Sequence, residues 1–292
     1  MKKTLLKLLL VLTALLVAAC PTLAETRTVV CAFYPIRVFA ENVLAGVPDI
    51  TLKTLAPAGT GCLHDFQLLP GDLRTLDSTA CLIINGAGME DSFLPLLKKE
   101  SPELPIVDCG KGIALIKDEE GPNAHIWLNA LNARQMVLNM GEQLAAILPE
   151  HGEQIAANAQ AYAERLTALH EELSAMLNDL PARDIVTFHE AYPYFAEEFG
   201  LHVVATITVE PDEAPSPRMI AETIEQVRGY ALCPLFSEPG AATDALEVIA
   251  RETRQPVYEL TPITDGSGAA DDYEAGMRKN AETLVRALSA GK

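Results

Sequence analysis

Short apolar runs with β character alternate along this chain with stretches of helical period. Residues 28–34, 50–55, 81–84 and 105–107 are strand candidates in the first half, and helix-compatible sequence follows each. The second half repeats the style at 185–188, 203–207, 232–236 and 257–260. Such alternation predicts an α/β fold of parallel sheets covered by helices on both faces.

A different kind of segment separates the halves. Residues 132–177 carry no strand signal and almost no glycine. Pro149 and Glu150 mark a break and open a new helix. A helix over 150–178 would be about 43 Å long at ~1.5 Å per residue. Its large apolar residues, Ile155, Tyr162, Leu166, Leu169, Leu173 and Leu177, fall on one stripe. A narrow stripe on a long polar helix suits a rigid connector lying across two lobes. A coiled coil is the alternative, but the stripe runs for under about four heptads. The predicted organisation is therefore a first lobe over 25–148, a linker helix over 149–179 and a second lobe over 180–292.

The N-terminus changes the compartment. Lys2, Lys3 and Lys7 precede an apolar run over 5–19 that is short for a bilayer span, and the pair reads as an export signal over 1–19. Val17-Ala18-Ala19-Cys20 has the form of a bacterial lipoprotein box, which would leave Cys20 lipidated and the protein held at a membrane surface. Thr22-Leu23-Ala24 offers the other exit, a soluble protein beginning at Glu25. Either way the destination is the periplasm or the outer face of the cytoplasmic membrane. Loss of the three lysines takes the formal charge from −18 to about −21, a poor match for nucleic acid or anionic lipid. Among the remaining cysteines, Cys31 and Cys81 lie in apolar runs and read as core. Cys62 and Cys109 lie in loop-like sequence and could pair, although spacing alone does not decide it.

Six histidines are the candidate chemistry. His151 and His170 fall among Glu and Gln on the long helix and read as solvated, and His202 opens a strand with no obvious partner. The other three stand where α/β sheets present ligand sites. His189 follows the strand candidate 185–188, at its carboxyl end. His64 lies in the loop after the second strand, and His125 lies ahead of the helix predicted from 132. Asp265 follows the last strand. Three imidazoles and one carboxylate make a four-coordinate set suited to zinc, with manganese admitted by the carboxylate. Asp65, Glu190 and Glu238 stand beside these positions. They could fix imidazole tautomers, with ordinary surface charge as the other reading. There is no P-loop, no dinucleotide fingerprint, no His-Glu-x-x-His and no nucleophile elbow.

Several segments taken in order resemble one family, the solute-binding receptors of ABC importers for zinc and manganese. They are His64-Asp65-Phe66-Gln67-Leu68-Leu69-Pro70-Gly71-Asp72, Asn85-Gly86-Ala87-Gly88-Met89-Glu90, Asn123-Ala124-His125-Ile126-Trp127-Leu128-Asn129 and Phe188-His189-Glu190-Ala191-Tyr192-Pro193-Tyr194-Phe195, with Ala214-Pro215-Ser216-Pro217 and Phe236-Ser237-Glu238-Pro239. The likeness covers essentially the whole chain after the signal. It implies two lobes joined by a rigid helix, metal held between them by His64, His125, His189 and Asp265, and delivery to an ABC-transporter membrane permease. A histidine at 189 is similar to the zinc-type members. The expected protein is a monomer and not an enzyme, because four protein ligands leave no position for an activated water. The rival expectations are a receptor of the same shape for a chelated metal or siderophore, and a zinc hydrolase with Glu190 or Glu238 as base.

Overall fold

The computed structural model describes residues 26–60, 63, 66–117, 121–207, 216–240 and 244–289. The export signal, the lipidation candidate Cys20, the ligand candidate His64 and its neighbours Cys62 and Asp65 lie outside the described residues.

Two four-stranded parallel sheets carry the fold. The first contains β1 (Arg27–Cys31), β2 (Ile50–Thr54), β3 (Cys81–Ile84) and β4 (Ile106–Asp108), in the order β2-β1-β3-β4. The second contains β5 (Asp184–Thr187), β6 (His202–Thr206), β7 (Leu235–Ser237) and β8 (Val257–Glu259), in the order β6-β5-β7-β8. The two lobes thus share one topology. In each, the chain leaves a central strand in opposite directions, which opens a crevice at the carboxyl ends of β1 and β3 in one sheet and of β5 and β7 in the other.

The helices of the first lobe are α1 (Tyr34–Val43), α2 (Pro70–Leu76), α3 (Leu94–Glu100) and α4 (Ala130–Ile147). The first apolar run ends earlier than its composition predicts. Phe33 is still extended, but Pro35 sits in the first turn and its fixed φ starts α1 at Tyr34. Helix α4 begins two residues before the predicted 132, because Asn129 caps it by accepting from Asn132 N at 2.8 Å.

After a 3-10 turn at Pro149–His151 comes the long helix α5 (Gly152–Leu177), about 39 Å at ~1.5 Å per residue. All six stripe residues are buried, with Ala159 and Ala163 filling the gaps between them. The stripe packs on α4, α1 and the C-terminal helix α9 (Asp272–Leu288), so it is a seam within the molecule. The second lobe adds α6 (Pro193–Phe199), α7 (Pro217–Val227) and α8 (Asp244–Thr253).

Two apolar cores result. The larger runs from the first sheet through α4 and α5 into α6 and α9. The smaller lies inside the second lobe and is made by Val186, Ile207, Val227, Cys233, Leu235, Leu246 and Ile249. Cys31, Cys81 and Cys109 are all free and fully buried, and burial pushes each thiol up. Among the described residues no helix is long and apolar enough to cross a membrane.

Two histidine readings need correction. His170 is not a solvated helix position. Its Nδ1 lies 2.6 Å from Glu198 Oε1, and that nearly buried carboxylate also accepts from Ala130 N at 2.9 Å, at the start of α4. The helical repeat cannot show this, because the partner comes from α6 on the other lobe. His202 does have a partner, Asp184 across the β5–β6 pair at 3.3 Å.

Candidate metal centre

His189 stands two residues beyond the end of β5, and Glu238 one beyond the end of β7. Phe188 N bonds Phe236 O at 2.9 Å, so the parallel register brings the two positions side by side. His189 Nδ1 and Glu238 Oε1 are hydrogen bonded. A carboxylate on Nδ1 fixes the proton there and makes Nε2 the nitrogen with a lone pair for an electrophile.

His125 reaches the same place from the first lobe. Asn85, just past β3, donates from Nδ2 to Ala124 O at 2.9 Å and ties the His125 segment to the crevice of the first sheet. Asn123 Oδ1 accepts from His125 N at 3.0 Å and sits 3.1 Å from His125 Nδ1. This is the same tautomer-fixing arrangement, with an amide oxygen in place of a carboxylate. The imidazoles of His125 and His189 meet edge-on, with centroids 4.9 Å apart and planes at 90°. His125 is fully buried, while His189 keeps about a fifth of its side chain exposed. Asn123 Nδ2 also donates to Glu190 O at 2.8 Å, so Glu190 takes part through its backbone and joins the lobes beside the two rings.

Trp127 packs on His125 with centroids 5.2 Å apart and donates from Nε1 to Pro262 O at 2.8 Å. That bond fastens the loop after β8, which carries Asp265, to the His125 segment. Asp265 itself is exposed. The neighbouring Asp272 is fully engaged elsewhere. Its Oδ1 accepts from Ser267 Oγ at 2.9 Å, and its Oδ2 accepts from Tyr34 Oη, Gly268 N and Ala269 N. Burial opposes its ionisation, but Tyr34 and those other donors outweigh it and hold the carboxyl below the usual range. Asp272 is therefore a structural acceptor within the loop.

Leu63 is fully buried, and Ser92 Oγ donates to Leu63 O and Phe66 O at 3.2 and 3.0 Å. Among the described residues no group of three or more His, Cys, Asp or Glu side chains is arranged to hold an ion. The structure brings His125 and His189 together, with Glu238 behind one ring. Sequence reasoning missed the acceptor role of Asn123. Its position two residues before a histidine was the available signal, since an Asn there can bond the following backbone as an Asx turn.

The family model described as zinc-uptake complex component A, periplasmic (ZnuA), matches residues 29–287. The chain belongs to the ZnuA family. Relatives include the zinc-binding protein AdcA of Streptococcus pyogenes serotype M6, 28% identical over an alignment that covers 90% of this chain and 56% of AdcA. The chain thus spans little more than half the length of the AdcA proteins it matches. The high-affinity zinc uptake system protein ZnuA of Brucella suis biovar 1 is 24% identical, with 91% of this chain and 92% of that protein covered. Among solved structures, FpvC of Pseudomonas aeruginosa in complex with Ni2+ has a TM-score of 0.80 at 28% identity and covers 92% of this chain and 98% of its own. FpvC in complex with Mn2+ has a TM-score of 0.81 at 27% identity, with 92% and 100% covered. This ZnuA-family chain therefore keeps the two-lobed fold at low identity.

Proposed function

We propose that this protein captures a divalent transition metal, zinc first, outside the cytoplasm and delivers it to the membrane permease of an ABC importer. The ligands in this reading are His64, His125 and His189 with Asp265, held between a first lobe over 25–148 and a second over 180–292. The observation that carries it is the pair of imidazoles meeting edge-on between the lobes, each with an oxygen acceptor at Nδ1. This is how proteins prepare histidines to bind a metal through Nε2. Two lobes contributing one ring each make a site whose affinity depends on their separation, which suits capture and release. The family match and the zinc-binding relatives support the cargo. A nitrogen-rich donor set favours zinc, while the carboxylate keeps manganese as the second cargo, in keeping with the Mn2+ complex of FpvC. Export through the signal over 1–19, anchoring at Cys20 and a monomeric state complete the proposal.

Zinc titration of the purified protein tests it. His64→Ala, His125→Ala and His189→Ala should each lose more than the about 10- to 100-fold in affinity that changes behind the ligands cost. Binding should also weaken as pH falls below about 6.5, because protons compete for the imidazoles. Wild-type affinity in all three variants would rule the site out.

A further inference from the structure

The loop that carries Asp265 belongs to the second lobe by sequence, and Tyr192 and Asn280 hold its start at Leu260 and Thr261, yet from Pro262 onward it is also tied to the first lobe. Trp127 Nε1 holds Pro262 O at 2.8 Å, and Gly59 N holds Thr264 O at 3.4 Å. Asn42 Nδ2 donates to Ala270 O at 2.7 Å. Between these points Tyr34, the first residue of α1, is inserted into the loop. Its hydroxyl donates to Asp272 and accepts from Gly268 N at 2.9 Å. Gly266, the residue after Asp265, lies so close that a Cβ there would collide with the Tyr34 hydroxyl and come within 2.7 Å of Asp272 Oδ2. Upstream, Ile263 is held at φ 62°, a left-handed conformation costly for a β-branched residue. Its side chain is wedged where a Cβ on Gly276 of α9 would stand. A strained backbone persists only where its surroundings over-determine it.

We infer that Tyr34 is a positioning residue for metal capture: it seats the Asp265 loop on the first lobe, so that Asp265 is held on the His125 side of the site. This rests on the reading of Asp265 as a ligand. Two observations fit this seating. His189 and Glu238 leave strands whose Val186 and Leu235 enter the smaller core while Ile185 and Phe236 join the large one, whereas the Asp265 loop leads into α9, which packs on α5 within the large core. Asn42, which grips Ala270, is itself held by Arg165 of α5 at 2.7 Å. Arg165 pairs with Glu274 of α9, so the anchorage continues along the linker helix.

The test is the zinc dissociation rate of the full chain after mixing with excess chelator, for wild type, Tyr34→Phe, Asp265→Asn and the double variant. Loss of one hydrogen bond to a charged group predicts about tenfold faster release from Tyr34→Phe. Because Tyr34 acts through Asp265, the double variant should release zinc no faster than Asp265→Asn alone. A merely structural role for Tyr34 would instead multiply the two effects. Asp272→Asn removes the other half of the clamp and should show the same dependence on Asp265, which keeps the test open should Tyr34→Phe fold poorly. Wild-type release from both Tyr34→Phe and Asp272→Asn, or multiplicative effects, would overturn the inference. If His125→Ala and His189→Ala lose zinc while the clamp variants behave as wild type, the metal site stands and the clamp alone falls.

Discussion

Glu90 is buried in the turn after β3, where its two oxygens accept from Asn85 N at 2.7 Å and Gly86 N at 3.0 Å. Burial pushes its carboxyl from 4.5 up to about 8 against the pull of those two amides, and nearby Asp108 adds to the rise. The unfolded chain releases this proton near the lower value and the folded chain near the upper. Between them the native state holds more protons, so stability is full below the unfolded pKa and is lost as pH rises through the folded one. A shift of this size is worth about 5 kcal/mol in all, of which about 3 kcal/mol falls between pH 5 and pH 8. Glu90→Gln removes the titration and keeps the shape. Its amide can accept from only one of the two backbone N–H groups, so the variant should be less stable than wild type near pH 5. The gap should close, and then reverse, as the pH approaches 8. Urea unfolding of metal-free protein at several pH values measures this directly, since the remaining titrating groups cancel in the difference between the two proteins. Parallel stability curves would refute the reasoning and show that Glu90 is ionised throughout.

Two further outcomes follow from packing and from the site. Gly141 of α4 lies where a Cβ would overlap the Cβ of Ala159 on α5. Gly141→Ala should therefore destabilise by about 1 kcal/mol, the overpacking cost outweighing the gain in helix propensity. Ala159→Gly in the same chain should restore room, and additive effects on unfolding would contradict the close crossing. Glu238→Ala should weaken zinc binding by about 10- to 100-fold by releasing the Nδ1 side of His189. Unchanged affinity in a titration would return Glu238 to ordinary surface charge.

Local pattern determined much of this protein. The apolar runs found the strands to within a few residues. The inner strands β1, β3, β5 and β7 are largely buried and therefore nearly continuously apolar, while the edge strands β2, β6 and β8 are half-exposed and were marked by β-branched residues between turn signals. The stripe from Ile155 to Leu177 found the linker helix, and its burial matched residue for residue, because a 3.6-residue period depends only on neighbours along the chain. The positions of His125 and His189 ahead of or after regular elements were equally visible. What the chain order could not show was which strands are neighbours. Placing β1 and β5 at the centre of their sheets turns Glu238, 49 residues from His189, into its hydrogen-bond partner. The same holds for Glu198 against His170, and for Tyr34 against Asp272, 238 residues away. The last two pairs exist because two lobes and a connecting helix close on one another. Closure is driven by apolar surface buried between distant segments, a quantity that no window of sequence contains.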